Sequence, residues 1–145
     1  MIKLVEIQNE IYSKLNTEFP TYHIYVGEIP QEITRPAFFM QILPLSTITE
    51  NQYHRTRKIH IRIRYYSPNG TYLESLEMAD QLNEVIGAVL VAGDRRLIIH
   101  KIRTSMIDNV LNFAFNLEFE DSIDETKTYN YQNYDYMQEL LIKED

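Results

Sequence analysis

The sequence predicts an α+β fold: an antiparallel or mixed β-sheet with two helices on one face, in the order α-β-β-β-α-β-β, and an extended C-terminal tail. Three observations carry this. Leu4, Ile7, Ile11 and Leu15 recur at helical spacing, and a second helical stripe runs from Leu73 to Val89. Between and after these stripes, long segments alternate apolar and polar side chains with the period of a strand. Runs of strands joined by short turns favour antiparallel pairing with helices on one side.

The first helix stops before Pro20, which cannot continue it. His23 to Val26 reads as a short strand, and Gly27 to Pro36, with Pro30 and Pro36 inside it, as an ordered connection. Ala37 to Leu43 is apolar enough for a central strand. Pro44 lacks the N–H a ladder needs, so the strand either bulges there or lies at an edge. Tyr53 to Tyr66 is one long strand: Ile59, Ile61 and Ile63 point one way, and Lys58, His60, Arg62 and Arg64 the other.

Ser67-Pro68-Asn69-Gly70 is a strong turn signal. Thr71 and Glu74 then stand at capping-box spacing, ahead of the stripe Leu73, Leu76, Ala79, Leu82, Val85, Ile86 and Val89. Leu97 to Met106 and Val110 to Phe119 read as two strands joined at Asp108-Asn109, a favoured hairpin pair.

With 145 residues and 44% hydrophobic content, the chain fits one globular domain, assigned to residues 1–125, followed by a tail over 126–145. Residues 1–117 hold 12 basic and 12 acidic side chains, whereas 118–145 hold nine acids and two lysines. The whole excess of −7 therefore sits in the C-terminal segment. The absence of cysteine removes disulfides, thiolate metal sites and cysteine nucleophiles. No apolar run approaches the ~20 residues of a membrane span. The N-terminus carries Glu6 too early for a signal peptide, so the expected site of synthesis and residence is the cytoplasm.

Catalytic signatures are missing. None of His23, His54, His60 and His100 forms an i, i+4 metal pair, and His54 and His60 lie ~20 Å apart along a strand. The four glycines are not spaced as a phosphate-cradling loop, and no Ser stands in a G-x-S-x-G elbow. Glu118, Glu120, Asp121, Asp124 and Glu125 lack the glycine and spacing of a calcium loop and read as a solvated strand end. No metal, cofactor or enzymatic activity is expected.

Arg55, Arg57, Lys58, Arg62 and Arg64 stand in ten positions without an acid, and Arg95, Arg96, Lys101 and Arg103 follow on a later strand. This cationic face has three readings. It attracts nucleic acid, with Tyr53, Tyr65 and Tyr66 stacking bases; it solvates a sheet and guards it against aggregation; or it meets an acidic partner surface, such as another copy of the chain. The near-neutral body and acidic pI count against a dedicated nucleic-acid binder. The tail places Tyr129, Tyr131, Tyr134 and Tyr136 in eight residues, followed by the apolar Met137 to Ile142. Tyrosines are favoured at protein interfaces, so the tail packs on its own domain or docks on a neighbour.

Tyr22-His23-Ile24-Tyr25, Glu28-Ile29-Pro30-Gln31, Arg35-Pro36-Ala37-Phe38-Phe39 and Tyr53-His54-Arg55-Thr56 before the alternating strand resemble the tail terminator proteins of long-tailed phages and prophages. The resemblance continues through Glu77-Met78-Ala79-Asp80-Gln81-Leu82 and Asp108-Asn109-Val110-Leu111. It rests on succession along most of the chain, not on one chemical motif. It implies a structural virion protein, assembled in the host bacterial cytoplasm, that sits as a ring, commonly of six copies, on the head-proximal end of the tail tube. Such a ring stops tube polymerisation and presents a joining surface for head-completion proteins, while DNA passes through its lumen unread. The expected partners are the chain itself, the tube protein and a head-completion or stopper protein, with no membrane.

A closed ring needs two different, complementary patches on one subunit. Arg55, Arg57, Arg62 and Arg64 on the basic strand, and Tyr129, Tyr131, Tyr134 and Tyr136 in the tail, are the expected contact residues. Two alternatives remain: a head–tail connector stopper, and a nucleic-acid-binding module using residues 55–64.

Overall fold

The computed structural model describes residues 2–122. Helix α1 (Leu4–Glu18) leads into strand β1 (His23–Val26), followed by β2 (Ala37–Thr49), β3 (His54–Tyr66) and helix α2 (Tyr72–Ile86). A small hairpin, β4 (Val89–Ala92) and β5 (Arg95–Ile98), precedes β6 (Ile102–Ile107) and β7 (Val110–Ser122). The main sheet runs β1-β2-β3-β7-β6. It is mixed: β1 pairs parallel to β2, and every other neighbouring pair is antiparallel.

Both helices and the β4–β5 hairpin supply buried side chains to one core with the sheet. Ile7, Ile11 and Leu15 of α1 and Met78, Leu82 and Ile86 of α2 meet Ile59, Ile61 and Ile63 of β3 and Phe113, Phe115 and Leu117 of β7. Each aliphatic side chain so buried contributes about 2 kcal/mol relative to exposure. The predicted α+β class and the order α-β-β-β-α-β-β therefore hold, with the β4–β5 hairpin added between α2 and β6.

Two expectations about this region change. Gly87, at φ 70°, ends α2 after Ile86, so Val89 leaves the helical stripe and begins a strand. Gly93, at φ 63°, then opens a tight turn that pairs Ala92 with Arg95. The segment expected as one strand, Leu97 to Met106, is thus divided between β5 and β6. Within α2 the buried stripe is Ser75, Met78, Leu82 and Ile86, while Leu73 and Leu76 stand 62% and 43% exposed. Lys14 of α1 closes the far end of α2 by donating from Nζ to the carbonyls of Ile86 (3.0 Å) and Val89 (3.3 Å).

Other local signals act as read. Pairing of β2 with β3 shifts register between Pro44 and Ser46, and β1 has already ended opposite Met40, so Pro44 lies both at a bulge and on an edge that no described strand covers. Asp108 and Asn109 adopt positive φ of 52° and 63°, the geometry of a two-residue hairpin joining Ile107 to Val110.

At the start of α2 only half of the capping box forms. Thr71 Oγ1 accepts from the Glu74 amide at 3.4 Å, but the Glu74 carboxylate turns to the backbone N–H and side-chain amide of Asn69, both at 3.0 Å. Desolvation pushes the Glu74 carboxyl up, yet hydrogen bonds from Asn69, Thr71 and Ser67 outweigh it and hold the group below its usual range. A carboxyl lowered in the folded state stabilises above its unfolded pKa, and that stability is lost as pH falls through the folded value. Glu74→Gln should therefore show a shallower loss of melting temperature than the native chain between pH 6 and pH 3. Parallel acid limbs would contradict this.

Candidate assembly interface

Strand parity sorts the cations of β3 onto two faces. Ile59, Ile61, Ile63 and Tyr65 face the helices, and Arg57 and Arg55, at the same parity, lie on that side too. Lys58, His60, Arg62 and Arg64 line the opposite, helix-free face. The expected set Arg55, Arg57, Arg62 and Arg64 is therefore not one patch.

Arg57 is engaged within the subunit. Its guanidinium donates to Asp121 Oδ2 at 3.0 Å and to the Ile2 carbonyl at 2.6 Å, and it lies over the Phe119 ring at 5.4 Å. Asp121 is 2% exposed and also accepts from the Ile2 amide at 3.2 Å. This clasp ties the N-terminus to β3 and to the end of β7. The acidic cluster read as a solvated strand end is split accordingly: Glu118 and Glu120 are exposed, Asp121 is buried, and Asp124 and Glu125 lie outside the described residues. The alternation Phe115, Leu117, Phe119, Asp121 carries the inward parity on to Asp121, a signal that the solvated-end reading passes over.

On the open face the register sets a row: Gln41 opposite Arg62, Arg62 opposite Ala114, and Ala114 opposite Arg103. Arg62 and Arg103 are thus two strand spacings, ~10 Å, apart across a small residue. Arg62 donates to Gln41 Oε1 at 2.6 Å, His60 Nδ1 lies 2.7 Å from Asn116 Oδ1, and Arg64 covers the Phe39 ring at 5.7 Å. Lys58, His60, His100, Lys101, Arg103 and Glu118 border a shallow groove of about 270 Å³, below the roughly 300–1,000 Å³ typical of small-molecule sites. Lys101 and Arg103 therefore join the basic face, whereas Arg95 and Arg96 belong to the β4–β5 hairpin, where Arg95 donates to the Glu120 carbonyl.

The aromatic residues expected to stack bases do not line this face together. Tyr65 is buried on the helix side beside Tyr22, and burial, then the charge and hydrogen bond of Tyr22, push its phenol well above the usual range. Tyr66 is 8% exposed, packed with Ala37 and Phe39, with Arg35 5.6 Å above its ring. Only Tyr53 of the three is exposed. Tyr129, Tyr131, Tyr134 and Tyr136 lie outside the described residues. Among the described residues, no three His, Asp or Glu gather as a metal site, and no helix is long and apolar enough to cross a membrane.

The family model for the phage tail terminator protein matches residues 6–129. Comparison with curated proteins gives no match. One solved chain superposes with a TM-score of 0.51 at 11% identity, covering 86% of this chain and 98% of its own. At that identity the likeness shows the fold alone.

Proposed function

Because the chain belongs to the phage tail terminator protein family and is thereby a structural component of the virion tail, we propose that it caps the head-proximal end of the tail tube as a ring. The ring stops tube polymerisation and forms the joining surface for the head. The single observation that carries this reading is the family match across residues 6–129. It is assembled in the host bacterial cytoplasm from copies of one chain, six by the commonest arrangement, and contacts the tube protein on one side and a head-completion protein on the other. DNA passes through the lumen unread.

The contact residues proposed are Arg62 and Arg64 on the open sheet face, together with Tyr129, Tyr131, Tyr134 and Tyr136. Arg55 and Arg57 contribute indirectly, through the helix-side face of β3, from which Arg57 holds Asp121 at the end of β7. The described part of β7 ends at Ser122, opposite His54, and Tyr129 and Tyr136 follow it by seven and fourteen positions in the sequence.

Purified chain added to polymerising tube protein should arrest growth at one end at substoichiometric amounts. Unchanged tube growth would contradict capping and favour a stopper that acts on the head side. A nucleic-acid-binding module is the reading from a different class. It requires salt-sensitive DNA affinity whose logarithmic slope falls by about 2 when Arg62 and Arg64 are removed. The burial of Tyr65 and Tyr66 takes away most of its stacking platform.

A further inference from the structure

Helix α2 carries an outer stripe that no other described part of its own subunit buries. Leu73, Leu76, Glu77, Asp80 and Glu84 follow one another at i, i+3, i+4, i+7 and i+11, and all five are exposed. The stripe is graded, apolar in its first turn and acidic after it. With Glu74, α2 holds four acids and no base, so the helical layer carries negative charge while the open sheet face carries positive.

The open face of β3 has the matching gradient. At its Tyr66 end lies a groove bordered by Arg64, Tyr66, Ile107, Asp108, Val110 and Asn112, with Ile107 64% exposed. From Tyr66 the basic side chains follow along the strand, Arg64 at ~7 Å, Arg62 at ~13 Å and His60 at ~20 Å. Along α2, measured from Leu73, Glu77 lies at ~6 Å, Asp80 at ~10 Å and Glu84 at ~16 Å. A helix laid along β3 with Leu73 and Leu76 over Ile107 and Val110, the apolar part of this otherwise polar groove, therefore sets its acids beside the basic side chains in the same order.

We infer that the outer stripe of α2 in one copy docks lengthwise on the open face of β3 in the next. The two patches lie on opposite sides of a subunit, so they cannot meet within one chain. A contact between unlike patches is heterologous and repeats around a ring. Opposite charges, with an apolar anchor at one end, also fix the direction in which the helix lies. This assignment rests on the reading that copies of the chain associate, and it names the surface by which they do so.

Because the native chain has no cysteine, the contact can be read by a thiol cross-link. L76C combined with R64C, treated with a short thiol-specific cross-linker in cells assembling tails, should give a ladder of linked multimers. Adding D80K and E84K, both exposed substitutions, should abolish the ladder, and adding R62E to those two should restore part of it. Absence of a ladder from L76C/R64C would overturn the inference. So would its appearance with R64C/Y134C in place of L76C/R64C, which would assign the sheet face to the C-terminal segment. Loss of the ladder while the gene's deletion still yields overlong tubes would leave capping intact and reject only this surface. A ladder alongside tails of normal length in the deletion would do the reverse.

Discussion

Asp121→Ala should destabilise the domain by about 3–5 kcal/mol, because it leaves the Arg57 guanidinium part-buried without its carboxylate and the Ile2 amide without its acceptor. The cost of breaking such a pair is mostly the desolvation of the charge left behind, which the surface location of most ion pairs avoids. At a denaturant slope of roughly 2 kcal/mol per M, the urea midpoint should fall by about 2 M. Arg57→Met with Asp121→Leu should recover a large share, since an apolar pair of similar volume leaves no charge unmet. A midpoint shift below about 0.5 M for Asp121→Ala would mean that the clasp is not structural.

Arg62→Glu with Arg64→Glu should abolish capping while the monomer stays folded. Both side chains lie on the helix-free face, where, among the described residues, Arg62 donates a hydrogen bond to Gln41 and Arg64 stacks on Phe39. The fold should therefore keep its far-ultraviolet circular dichroism and lose only a few degrees of melting temperature. At an assembly interface each reversal converts an attraction into a like-charge juxtaposition costing several kcal/mol, more than a hundredfold in affinity. Tails made with this variant should run to irregular, excessive length. Tails of native length would show that neither arginine takes part in the cap.

What was legible in the sequence was local. The alternation of β3, the bulge at Pro44 and the Asp108–Asn109 hairpin each depend on a few adjacent residues, and each forms as read. The β4–β5 hairpin was hidden because Val89 and its neighbours prolong an apolar helical stripe, and only the positive φ of Gly87 and Gly93 redirects the chain. The sequence puts Leu73 and Leu76 in the core for a related reason: helical spacing groups apolar residues without saying which side of the helix the sheet occupies. The basic strand was legible as a strand, but its division into Arg62 and Arg64 on one face and Arg57 on the other follows from parity with the Ile residues. The partner of Arg57, 64 positions away, depends on the register between β3 and β7. Such long-range pairing leaves no mark within either segment. The candidate site was thus visible as a charge pattern, while the helix stripe that complements it emerged only with the burial of α2.

The most direct test of the central claim is the length distribution of tails, measured by electron microscopy, in particles produced with and without this gene. Overlong, headless tubes in its absence are the predicted result, because an uncapped tube end continues to add subunits. Tails of native length in its absence would contradict the terminator role.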